Sequence, residues 1–81
     1  MRLEKTPVIN KEATGKRLRR LVSDNGITID EILTETQAAD STVSAWFRGD
    51  TIPSIINLLK IAWMCDCEIT DIIVVSWVNK E

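Results

Sequence analysis

At 81 residues the chain lies well below the size at which one hydrophobic core splits into several, so a single domain is expected. Its 44% hydrophobic and 27% charged residues give the balance of a globular protein, with too little polarity for wholesale disorder. The formal net charge of −2 excludes a protein that clings to any polyanion, but the average conceals a split. Residues 1–23 carry seven bases against two acids, an excess of +5, and the remainder carries three bases against ten acids, an excess of −7. Any contact with nucleic acid must therefore be local, made by a basic edge on an acidic body.

The first nine residues, Pro7 among them, lack helical periodicity and read as a basic lead-in, residues 1–9. Asn10 offers a helix cap, and Ala13, Leu18, Leu21 and Val22 share one side of a helix from Lys11 to about Asn25 that Gly26 closes. Lys16, Arg17, Arg19 and Arg20 occupy its other faces. Thr28 with Glu31 three residues on is a capping box, and Ile29, Ile32 and Leu33 carry a second helix to about Thr36. A short connection at Gln37 and Ala38 leads to a third helix from Asp40 to Arg48, with Val43, Trp46 and Phe47 on its apolar side and Gly49 as its stop. After Pro53, Ser54 caps an apolar helix containing Ile55, Ile56, Leu58, Leu59, Ile61, Ala62 and Met64. Thr70 and Asp71 open a last short helix through Ile72 and Ile73, and an apolar tail, residues 75–81, follows. The stretch 72–78 has strand-like composition suited to pairing in a dimer.

No run of about 18 apolar residues and no cleavable leader are visible, so a cytoplasmic protein without a membrane partner is expected. Cys65 and Cys67, with no histidine in the chain, cannot build a four-ligand zinc site, and they read as buried thiols. No metal and no cofactor are expected. The chain shows no nucleophile with a base, no carboxylate pair suited to a cleft and no glycine-rich phosphate loop, which argues against an enzyme.

Taken in order, Gly15-Lys16-Arg17-Leu18, Gly26-Ile27-Thr28, Ser41-Thr42-Val43-Ser44, Gly49 with Pro53, Leu58-Leu59-Lys60-Ile61-Ala62 and Ile69-Thr70-Asp71-Ile72 resemble the landmarks of the Cro/CI-type (Xre family) helix-turn-helix domain. The resemblance covers about residues 15–74. It implies an all-α, five-helix bundle of the lambda-repressor-like type, residues 10–74, with helix 40–48 in the major groove of double-stranded DNA and the preceding helix across the backbone. Carried over by position, it puts Asp40, Ser41 and Ser44 at base edges, Ala45 against a thymine methyl, and Thr42, Arg48 and Lys16 or Arg17 at phosphates.

This chain departs from the family pattern at four places. Ile29 fills a slot that is usually a phosphate-contacting glutamine, Gln37 stands where the turn usually has glycine, and Phe47 replaces a polar or acidic residue. The reading helix holds no Arg, Lys, Asn or Gln before Arg48, so the bidentate readers of guanine and adenine are missing. Trp46 reads as core. Trp63, Trp77 and Val78 are candidate contacts of a homodimer. The expectation is a small dimeric repressor. The alternative is an antitoxin-like or anti-repressor-like module that binds a protein through its acidic body.

Overall fold

The computed structural model describes residues 4–80. Its elements in chain order are β1 (Lys5–Ile9), α1 (Lys11–Asp24), α2 (Ile29–Thr36), α3 (Asp40–Arg48), α4 (Ile55–Met64), α5 (Ile69–Ile72) and β2 (Val75–Asn79).

The helices start where side chains satisfy the free N–H groups of a first turn. Ala13 N–H donates to Asn10 Oδ1 at 3.0 Å, and Asn57 N–H donates to Ser54 Oγ at 3.3 Å. At α2 the box is reciprocal: Glu31 N–H donates to Thr28 Oγ1 at 3.1 Å and Thr28 N–H donates to Glu31 Oε1 at 2.9 Å. The donated bonds from the Thr28 backbone, then from its hydroxyl, hold the Glu31 carboxyl below the usual carboxylate range. The last helix begins slightly earlier than expected, with Glu68 as its cap, its N–H donating to Asp71 Oδ2 at 2.9 Å.

The turn between α2 and α3 runs through Gln37 in the left-handed region, φ 56°. A residue with a Cβ pays about 1 kcal/mol there. Thr36 steadies the turn, its buried hydroxyl donating to Ile32 O at 2.7 Å and accepting from Ala38 N–H at 3.3 Å.

The buried core draws Leu18 and Val22 from α1, Ile32 from α2, Val43 and Trp46 from α3, Leu58, Ile61 and Ala62 from α4, with Cys65 and Ile72. Trp46 is core, as its spacing indicated. Two glycines set how α1 crosses the C-terminal end of α3. A Cβ on Gly15 would fall 2.6 Å from Trp46 O, and one on Gly49, at φ 81°, would fall 2.6 Å from Glu12 Cα. Backbone meets backbone here because neither position carries a side chain.

Among the described residues there are five helices, but the fold is not all-α. The lead-in and the tail form a two-stranded antiparallel ribbon in register from Lys5↔Asn79 to Ile9↔Val75. Thr6, Val8 and Ile9 on one strand and Val75, Trp77 and Val78 on the other are β-branched or aromatic, and they favour extended backbone. The tail thus finds its strand partner within its own chain. Asn10 N–H donates to Val74 O at 2.8 Å, and Val74 N–H donates to the buried Thr14 hydroxyl at 2.9 Å, tying the ribbon's base to α1. Beyond that base the ribbon packs on itself rather than on the helical core. Arg2 and Glu81, which belong to the expected lead-in and tail, lie outside the described residues.

Candidate nucleic-acid interface

The burial of Val43 and Trp46 turns the opposite side of α3 outward. At 100° per residue that side carries Ser41, Ser44, Ala45 and Arg48, with Asp40 on one flank and Thr42 on the other. Asp40, Ser41, Thr42 and Arg48 are exposed, and Ser44 and Ala45 are half-buried. Gly49 in the left-handed region ends the helix, its N–H bonding back to Trp46 O at 3.2 Å.

A cleft of about 520 Å³ runs along this helix and gathers Asp40, Ser44, Phe47 and Arg48 with Arg19 and Ser23 of α1 and Ile29 of α2. Lys16 and Arg17 are not part of it. They line a smaller groove with Arg20, Ala13 and Val74, on the side of α1 facing the base of the ribbon, and Lys16 Nζ also lies 3.5 Å from Glu12 Oε1. Arg19 is the base that the sequence reading did not single out. Its signal was present in Gly15, the residue that touches α3, because a side chain four positions later lies on the same helix face.

Electrostatically the surface is close to balanced. Arg48 Nε donates to Asp50 Oδ2 at 2.9 Å, with both side chains more than half exposed. Asp40 faces the same cleft as Arg19 and Arg48. Two guanidiniums are thus offset by two carboxylates. Such a surface attracts phosphates weakly, and its centre carries small hydroxyls and one methyl.

Trp63 projects from α4, whereas Trp77 and Val78 lie in β2 opposite Pro7 and Thr6. Cys65 is buried and Cys67 half-buried, and both are free thiols. Burial, then the neighbouring Cys67, pushes the Cys65 thiol up, while burial, then Asp71, Glu68 and Asp66, pushes Cys67 up. Thiolate is therefore scarce at neutral pH, which agrees with a packing role. Among the described residues no helix is long and apolar enough to cross a membrane.

No family model matches the chain. No curated protein matches it either. Solved structures do. The restriction-modification controller protein C.AhdI from Aeromonas hydrophila is 27% identical with a TM-score of 0.67, over 78% of this chain and 96% of that one. The clp gene regulator ClgR from C. glutamicum is 24% identical with a TM-score of 0.65, over 76% of this chain and 80% of that one. Nearly the whole of the first neighbour is thus matched by a chain that has about a fifth of its length to spare. Five helices in this order among the described residues, with α2 and α3 meeting across a tight turn, and these two neighbours give the chain the helix-turn-helix fold of Cro/CI-type (Xre) domains.

Proposed function

We propose that the protein is a transcriptional regulator that binds double-stranded DNA as a homodimer, laying α3 in the major groove and acting as a repressor by occupying its site. The observation that carries this reading is the outward face of α3, where Ser41 is exposed, Ala45 half-buried, and Ser44 shares a cleft with Arg48 and Arg19. In this proposal Ser41 and Ser44 bond base edges, Ala45 meets a thymine methyl, and Asp40 accepts from a cytosine amine. Arg48, Thr42 and Arg19 take phosphates. Lys16 and Arg17 reach phosphates only where the duplex continues past α3 along α1. Both neighbours are regulators by name, which favours regulation over catalysis.

One observation favours a second reading, a protein-binding module: Asp50 engages Arg48, and Asp40 stands in the same cleft. Selection of bound duplexes from a randomised library at moderate salt separates the two. The DNA reading expects an enriched two-fold motif with half-sites about one helical turn apart. Retention without enrichment that vanishes as salt rises would transfer support to the protein-binding module.

A further inference from the structure

We infer that the cleft between α2 and the C-terminal end of α4 binds a small organic cation with an apolar body, of the class of aryl and alkyl ammonium compounds. The inference goes beyond the DNA reading and stands without it.

The cleft has a volume of about 660 Å³, a size suited to a small molecule. Its lining is of two kinds. Ile27 and Met64 are half-buried and pack against the core, and Trp63 beside them is 72% exposed, more than any other large apolar side chain of the described residues. An apolar body therefore has a surface to cover. Four carboxylates share the lining, Asp30, Glu31 and Glu35 from α2 and Asp66 from the turn after α4, and among the described residues no base does. The bonds from Thr28 keep the Glu31 carboxyl ionised. Lys60 reaches the edge of the cleft, where its ammonium donates to Glu35 O at 3.0 Å, and leaves carboxylates in excess.

Charge selects the occupant. Four carboxylates repel a phosphate backbone or a carboxylic acid, and a second copy seated here about a two-fold axis would set the same four acids against each other. A neutral apolar molecule would strip water from the carboxylates and give them no partner. A cation with an apolar body answers both parts of the lining. Its charge lies among the carboxylates, its hydrocarbon covers Ile27 and Met64, and the indole face of Trp63 attracts it through the ring quadrupole. The occupant bridges α2 and α4, so it binds the folded chain alone and raises the melting temperature.

The test is isothermal titration calorimetry of the full chain with p-xylylene-bis(trimethylammonium), an aromatic ring between two quaternary ammonium groups, and with p-xylylene glycol, the same ring without charge. The dication is expected to bind with a dissociation constant of roughly 0.1–1 mM, and the glycol about tenfold more weakly or not at all. Asp30→Asn combined with Glu35→Gln, both at exposed positions, is expected to weaken the dication about tenfold with the helical circular dichroism unchanged. Trp63→Ala is expected to weaken it by a similar factor, and Trp63→Phe to restore most of the affinity. Glu12→Gln, at an exposed acid of α1 outside the cleft, is expected to change nothing. No binding of the dication, equal affinity for the glycol, or an affinity that the Asp30 and Glu35 substitutions leave intact overturns the inference. A chain that ignores the dication but holds oligolysine through the same carboxylates also overturns it, and assigns the cleft to a basic segment of another protein. Duplex selection is scored separately, so the loss of either reading leaves the other standing.

Discussion

Arg48 is the cation best placed to touch a phosphate from α3, and its guanidinium is held at 2.9 Å by Asp50, two residues away across the left-handed Gly49. Both side chains are more than half exposed, so the pair adds little to stability, of the order of 0.2–1 kcal/mol for pairs of this kind. In the proposed reading its larger effect is on binding, because a duplex would have to compete with Asp50 for the guanidinium while the carboxylate repels the backbone. Asp50→Asn is therefore expected to tighten DNA binding about three- to tenfold on every sequence alike and to leave the melting temperature nearly unchanged. Fluorescence anisotropy against a selected and a scrambled duplex measures both affinities. Unchanged affinities would show that Arg48 does not reach the backbone, and a gain confined to one sequence would make it a base reader.

The helices were legible because their signals are local. Asn10, Thr28 with Glu31, Ser54 and Gly49 each act within one turn of the residue they cap, so the bounds of α1 to α4 could be read almost to the residue. The ribbon was not legible as such, since Lys5 and Asn79 meet only because the bundle returns its two ends to the same place. Arg19 was missed for a related reason: which side of α1 meets α3 is decided by Gly15 against the carbonyls of Trp46 and Phe47, a tertiary fact. The same anatomy sets what each part contributes to stability. A two-stranded ribbon is marginal alone, and Val8, Ile9, Val75 and Val78 are each more than 40% exposed, so deleting residues 75–81 should cost only a few degrees of melting temperature. Thr14→Val, by contrast, takes the acceptor from the Val74 N–H in a part-buried site, at about 1–2 kcal/mol, or roughly 5–10 °C for a domain of this size. Thermal melts followed at 222 nm rank the two, and a deletion that cost more than Thr14→Val would mean that the ribbon packs on the core after all.

At the scale of the molecule the division of charge sets the terms of binding. In the proposed reading a dimer with −2 on each copy repels a duplex from most directions, and the α3 face with the adjoining edge of α1 presents the cations nearest to it. Few phosphates are then neutralised, about three per copy if Arg19, Arg48 and one outlying base of α1 take part. Counterion release ties that number to a slope of log affinity against log salt of roughly −3 for each copy and −6 for the pair. A titration series from low to moderate salt gives the slope directly, and Arg19→Ala should make it less steep by about 1 per copy, whereas Ser44→Ala should change sequence preference and leave the slope alone. A slope near zero in the wild-type chain would mean that phosphates are not what the cations meet, and the surface around Arg48 would then have to be understood as a seat for an acidic segment of another protein. A slope much steeper than −6 would bring Lys16, Arg17 and Arg20 into the contact, and with them a path for the duplex along α1 toward the base of the ribbon.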